Sequence, residues 1–158
     1  MSNLITPFFW FDHQAEEAAN FYVSIFPNSK ITDIARYSEA GPRPAGSVMT
    51  VGFELDGKPY TALNGGPLFQ FNESVSFVVH CKSQEDIDHY WDSLIAGGTP
   101  SQCGWLKDRY GMSWQIVPDR LIELMQDVDK NKAAKVVEAM FKMVKLDLPK
   151  LEQAYKDA

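Results

Sequence analysis

The chain has 158 residues, 45% hydrophobic and 23% charged, with a formal net charge of −6 and a pI near 5.0. That length suits one domain, or two small halves around a shared core, and needs no disulfide staples. The acidic balance gives no basic footprint for nucleic acid, and no apolar run approaches the ~20 residues of a bilayer span, so neither is an expected partner.

Ile5 to Asp12 reads as a first strand in which Phe8, Phe9, Trp10 and Phe11 fill both faces, so burial on both sides is expected. Asp12 is the candidate cap of the helix that follows, whose buried face carries Ala15, Ala18, Ala19, Tyr22, Val23 and Phe26. Pro27-Asn28 ends that helix, and Ile31 to Tyr37 reads as a strand. Glu39 to Gly46 holds two prolines and two glycines and reads as a loop. Val48 to Leu55 alternates, with Met49, Val51, Phe53 and Leu55 on one face, and Asp56-Gly57 signals a hairpin into Lys58 to Asn64.

The second half repeats the plan. Ser74 to Cys81 reads as a strand with Val75, Phe77, Val79 and Cys81 on one face. Ser83-Gln84-Glu85-Asp86 resembles a capping box with Asp in place of Glu. Ile87, Tyr90, Trp91, Leu94 and Ile95 form the helical stripe, closed by Gly97-Gly98. Gly104 to Lys107, a tight turn at Tyr110-Gly111 and a strand to Pro118 follow. The two helices begin near residues 14 and 84, an offset of about 70 that suggests a diverged internal duplication. Beyond Pro118, Leu121, Ile122, Leu124 and Met125 read as a short helix, and Ala133, Val136, Val137, Met140, Phe141 and Val144 as a second stripe. Asp147 caps a last helix with Pro149 in its first turn. This tail is expected to pack on the sheet or on a second subunit. Its lysines, Lys142, Lys145, Lys150 and Lys156, mix with Asp147 and Glu152 and read as a solvated face.

The most informative stretch is Asp108 to Pro118. In the strand it predicts, Trp114 and Ile116 share one face, and Ser113, Gln115 and Val117 the other. Two readings of Gln115 stay open: an amide that satisfies itself within the protein, or one that lines a pocket and meets a ligand. Trp105 is open in the same way, as an anchored lid or core residue or as a ligand stacker. No glycine-rich dinucleotide or phosphate loop and no Gly-x-Ser-x-Gly elbow occurs. Cys81 falls on an apolar face and reads as inert; Cys81 and Cys103 together read as reduced thiols of a cytoplasmic protein, with one disulfide left open, and no basic segment leads a long apolar stretch at the N-terminus. His13 and His89 read as exposed, whereas His80 either looks into a cavity or into solvent. No His or Cys pair has metal-ligand spacing.

Pro7-Phe8-Phe9-Trp10-Phe11, Ala15 to Tyr22, Ile25-Phe26-Pro27, Ser76 to Val79, Trp91 through Gly97-Gly98, Gly104-Trp105, Asp108 to Gly111, Trp114 to Pro118 and the tail segments Ala139 to Met143 and Lys145 to Asp147 together resemble the vicinal oxygen chelate superfamily. That superfamily includes glyoxalase I, bleomycin-resistance proteins and extradiol dioxygenases. The match is nearer to its PhnB-like branch, often labelled a demethylubiquinone methyltransferase domain. The resemblance implies an α+β fold: paired βαβββ modules forming a curled mixed sheet with a cavity, plus C-terminal helices. It places a single domain over 1–120, made of modules 1–70 and 71–120, followed by a helical extension over 121–158. A homodimer is implied as well.

In metal-using members each module supplies two ligands. The matching positions here fall at Ile5 or Thr6, Asn64, Ser74 and Gln115. None is a carboxylate or an imidazole, so no catalytic metal is expected, and no cofactor. Nothing resembles a glycine-rich strand–turn–helix for S-adenosylmethionine. The first reading is a cytoplasmic protein whose cavity binds a small, partly aromatic molecule. Gln115, Asn64 and His80 would orient the ligand, and Trp10, Phe9 and Trp105 would stack on it or enclose it. The second reading is a small-molecule enzyme of the superfamily (a lyase, a dioxygenase or the labelled methyltransferase), with His80 or Tyr110 carrying a proton. The third is a structural or regulatory dimer with a filled cavity. The sequence leaves open whether the chain is an enzyme.

Overall fold

The computed structural model describes residues 3–158. The chain divides into two compact units, one running to Phe71 and the other from Asn72 to Ala158.

The first unit contains β1 (Phe8–Phe11), α1 (Ala15–Ile25), β2 (Lys30–Arg36), β3 (Val48–Leu55) and β4 (Lys58–Asn64). Its sheet order is β1-β4-β3-β2, with β1 parallel to β4 and the other pairs antiparallel. The period-two alternation in β3 and β4 puts Val51, Phe53 and Ala62 on one buried face, joined by Phe9 and Phe11 across the parallel pair. Ala15, Ala18, Ala19 and Tyr22 of α1 are buried, and α1 packs against β3 and β4. Asp56 (φ 49°) and Gly57 (φ 73°) form the two-residue turn that the sequence signals, with both residues left-handed.

Two expectations are corrected here. The first strand is shorter than Ile5 to Asp12, because Pro7 has no N–H to give a ladder; Ile5 is 82% exposed. Phe8 is exposed and Trp10 half-buried, so only Phe9 and Phe11 enter the core. Asp12 does not cap α1 either. Gln14 holds the cap position without a side-chain bond, and the Asn64 Oδ1, from the far end of the unit, accepts the Ala15 N–H at 2.8 Å.

The second unit repeats the topology with β5 (Ser76–Cys81), α2 (Gln84–Ile95), β6 (Thr99–Pro100), β7 (Trp105–Lys107) and β8 (Ser113–Pro118), in the order β5-β8-β7-β6. Again the first and last strands pair in parallel. Ser83 caps α2 as its motif predicts: its Oγ accepts the Asp86 N–H at 3.1 Å, while Asp86 Oδ2 accepts the Lys82 N–H at 2.9 Å. Ser74 and Val75 lie outside β5, and the two-residue β6 is a strand that the sequence reading does not contain. Leu106, Trp114, Ile116, Val79 and Cys81 face α2, whose Ile87, Trp91 and Leu94 are buried.

The tail folds with this unit as α3 (Asp119–Met125), α4 (Lys130–Met140) and α5 (Leu148–Lys156). Leu121, Leu124, Val136, Leu146 and Leu151 form its own core, with Val117 of β8 packed against it. The helix expected to reach Val144 stops at Met140. The chain then leaves the helix through turns and bends: Cys103 and Gly104 donate their N–H groups to the Met143 and Val144 carbonyls at 2.9 and 2.8 Å. Gln84 bridges the same segment to α2, donating to the Leu146 carbonyl at 3.2 Å and accepting the Leu148 N–H at 2.8 Å. Asp147 caps α5 as expected. The two modules therefore form an α+β fold of two four-stranded mixed sheets with C-terminal helices.

Candidate functional site

In the second unit, Gln115 and Val117 of β8 and Trp105 of β7 occupy the sheet face turned away from α2, since Trp105 and Gln115 are direct register partners. A groove of about 600 Å³ opens on that face. It is lined also by Ser101, Gln102 and Cys103, by Leu121, Ile122 and Met125 of α3, and by Met140 and Phe141. Among the described residues no charged side chain lines it.

Gln115 donates its Nε2–H to Ser76 Oγ at 2.9 Å. That bond uses one of the two Nε2–H donors and leaves Oε1 and the second N–H outside it. Ser113, two residues earlier on the same face, buries its hydroxyl without a hydrogen-bond partner. His80 shares this face one strand over, in register with Val117. It is exposed, and its Nδ1 lies 2.9 Å from Asp119 Oδ1.

The other sequence-derived candidates lie elsewhere. Asn64, only 7% exposed, sits on the α1 side of the first sheet beside Phe11. Its Oδ1 accepts from Ala15 and its Nδ2 donates to the Val48 carbonyl at 3.2 Å, so both ends of the amide are engaged within the unit. Its backbone carbonyl accepts the Tyr37 hydroxyl at 2.6 Å. Phe9 lies in the aromatic core of the first unit, tilted against Tyr60 at 5.6 Å and edge-on to Phe71 at 6.2 Å. Trp10 is on the opposite face of β1, donating Nε1–H to the Gly66 carbonyl at 2.9 Å and meeting Phe69 edge-on at 5.0 Å. Tyr110 sits in the turn before β8, where its N–H donates to Asp108 Oδ1 at 2.8 Å. The structure thus brings Gln115 and Trp105 together, with His80 on the same face, and leaves Asn64, Phe9 and Trp10 in the first unit.

Sequence reasoning missed Ile122, Met125, Met140 and Phe141 as groove residues. The available signal was an excess: α3 carries apolar residues at 121, 122, 124 and 125, more than one buried face accommodates. It also missed Asp108, 3% exposed, whose carboxylate accepts from Tyr110 N–H, Met112 N–H at 3.1 Å and Trp114 Nε1–H at 2.9 Å. A second groove of about 520 Å³ between α2 and the tail is lined by charges that already pair, Lys145 with Asp88 at 2.8 Å and Lys150 with Asp147 at 3.0 Å.

The donor chemistry does not fit a divalent ion. Gln115 offers a neutral amide, Asn64 is turned to the helix side, Ser74 bonds to Asn72, and Ile5 is a hydrocarbon. Among the described residues no group of three or more His, Cys, Asp or Glu is placed to hold a metal. Nor do the residues fit S-adenosylmethionine in a glycine-loop cradle: the connections into α1 (Asp12-His13-Gln14) and α2 (Lys82-Ser83) contain no glycine. No helix of the described residues is long and apolar enough to cross a membrane.

The family model described as 3-demethylubiquinone-9 3-methyltransferase matches residues 3–117. The solved structure of the PhnB protein from Bacillus cereus is 35% identical over 73% of this chain and 99% of its own, with a TM-score of 0.68. A protein from Pseudomonas aeruginosa is 17% identical, covering 74% of this chain and 98% of its own at a TM-score of 0.60. The fosfomycin resistance protein FosX from Listeria monocytogenes is 14% identical, covering 80% and 99% at 0.57. These last two likenesses show the fold alone. No curated protein matches the chain. With its family model spanning both βαβββ units, the chain belongs to the 3-demethylubiquinone-9 3-methyltransferase family, the PhnB-like branch of the vicinal oxygen chelate superfamily.

Proposed function

We propose that this protein binds a small, partly aromatic molecule without a catalytic metal. The observation that carries the reading is the groove of about 600 Å³ in the second unit, where a mostly apolar lining holds the tethered amide of Gln115, with Ser101, Gln102 and Cys103 as its other polar members. That volume lies within the range of small-molecule pockets, and the pattern of mostly hydrocarbon walls with few oriented polar groups is theirs too. The neutral donor set argues against a metal-dependent reaction. The same reading includes a homodimer in the cytoplasm; the two thiols, Cys81 and Cys103, unpaired with one another, suit a reducing compartment.

Native mass spectrometry of the purified full-length chain, followed by a metabolite screen with and without chelator, tests this. A molecule retained or bound equally in both conditions supports the reading. Binding that requires a divalent ion, or an empty chain that takes up nothing from the screen, overturns it. Light scattering reads the mass of the assembly in the same samples.

One observation favours a second reading, acid–base catalysis. Asp119 Oδ1 lies 2.9 Å from His80 Nδ1 and so orients the ring, with Nε2 outside that contact as a proton carrier requires. Once a substrate is known, His80→Asn lowering kcat by two orders of magnitude or more, with binding intact, would support that reading; unchanged turnover would remove it.

A further inference from the structure

The family match ends at residue 117, yet residues beyond it supply one whole side of the groove. We propose that α3 and the end of α4 form the specificity-determining wall of the ligand site, and that the site selects a neutral molecule with a flat hydrocarbon body and a hydrogen-bonding group. The proposal rests on the small-molecule reading above.

Helix α3 is apolar on two sides. Leu121 and Leu124 are buried in the tail core, whereas Ile122 and Met125, one turn apart, remain part-exposed toward the groove. Phe141 stands 64% exposed at the rim. Leaving such residues in water forgoes burial that repacking could have supplied, so their common direction calls for an occupant.

The wall is also fixed in place. Immediately after Phe141 the chain is pinned by the Cys103 and Gly104 amides, by Gln84 and by the Lys145–Asp88 pair. Gly104 is required for this approach: at φ +84° a Cβ would meet the Ile116 carbonyl oxygen at 2.8 Å and the Leu146 side chain at 3.0 Å. The two methionines then give an adaptable, polarisable surface on a rigid support, in a lining that also includes Trp105.

The ligand class follows from what the lining lacks and what it offers. A charged ligand would lose hydration with no counter-charge to meet it. Gln115 commits one Nε2–H to Ser76 and keeps Oε1 and its second N–H, so it can meet a hydrogen-bonding group on the ligand.

N-Phenyl-1-naphthylamine, a neutral fluorescent aromatic amine with one N–H, is the probe. The full-length chain is titrated with it, and alkylation of Cys103, which borders the groove, is followed by mass spectrometry with and without probe. Saturable binding at one probe per chain is expected, with slowed Cys103 alkylation. Met125→Ala with Phe141→Ala should weaken binding about tenfold, and Gln115→Leu should also weaken it. Val128→Ala, at a 93% exposed position outside the groove, should leave it unchanged. Urea unfolding of each variant confirms that it is folded, which the exposure of Phe141 favours. Equal affinity in wild type and the double variant, unprotected Cys103, or no saturable binding would overturn the tail-wall proposal. A retained metabolite in the native mass spectrum would still uphold the broader reading, so the two failures are distinguishable.

Discussion

The two βαβββ units share one strand order and differ in what they do with their polar strand residues. In the first, Asn64 turns toward the helix and its amide is used up at both ends, holding α1 and β3. In the second, Gln115 turns away from the helix and uses one end of its amide, on Ser76. The helices show the reason. A local serine caps α2, so that sheet is free of the task, while α1 has no local cap and draws an acceptor from a strand 49 residues away. A duplicated fold can hold its shape with either arrangement, but the second leaves part of its amide unengaged.

The largest expected effect concerns the turns between the last two strands of each unit. In the first unit, the left-handed Asp56-Gly57 pair makes the turn, with the Asp56 N–H donating to Ser29 Oγ at 3.2 Å and the Gly57 N–H to the Asn28 carbonyl at 3.0 Å. In the second, the buried Asp108 carboxylate gathers two turn amides and the Trp114 indole N–H. Asp108→Ala strips acceptors from three donors and should cost about 4 kcal/mol in urea unfolding. Asp56→Asn, which tolerates the same left-handed backbone, should change stability by a small fraction of that. Similar losses in the two variants would mean that the turns are built alike.

Next in size is the contrast of the amides. Asn64→Ala removes the α1 cap and the link to β3 and should destabilise by about 2–3 kcal/mol. Gln115→Ala, at a half-buried position with one bond, should stay within about 0.5–1 kcal/mol. Ser83→Ala falls between them, at about 1 kcal/mol for a local cap. If Gln115→Ala costs as much as Asn64→Ala, Gln115 is a structural amide and the groove loses its polar anchor.

These cases also show which features can be read from sequence. The Ser83-x-x-Asp86 cap, the Asp56-Gly57 turn and the alternation of β3 and β8 are carried by residues a few positions apart, so periodicity and turn chemistry find them. The order of motifs, from the first-strand aromatics to Pro118, carried the family and the paired modules. Asn64 as a remote cap, Asp108 as a turn centre and Phe141 as a groove rim depend on contacts between distant segments, which no spacing rule encodes. Asn64 illustrates the cost: its position matched a ligand-bearing place in the family pattern, but its side chain points to the helix, because α1 lacked a cap of its own. The short β6 is two residues long and has no periodicity to detect.

The smallest effect separates the two faces of the second sheet through its thiols. Cys81 faces α2 with no exposure, and burial, together with the carboxylates of Asp86 and Asp119, pushes its thiol up to about 12. Cys103 borders the groove, half-buried. At pH 8, a soluble disulfide reagent should therefore label Cys103 in the native chain and leave Cys81 until unfolding. The raised value also fixes a sign. An unfolded thiol titrates near ~8.5, so the folded state holds its proton through the interval up to about 12 in which the unfolded state has lost it. Stability from the protonated thiol is complete below the unfolded value and is lost as pH rises through that window, at a slope approaching about 1.4 kcal/mol per pH unit. Other groups titrate in the same range, so the quantity to measure is the difference in unfolding free energy between wild type and Cys81→Ala at pH 8 and at pH 10. That difference should shrink at the higher pH. A constant difference, or labelling of both thiols at equal rates, would mean that the helix-facing side of this sheet is as open to water as the groove side.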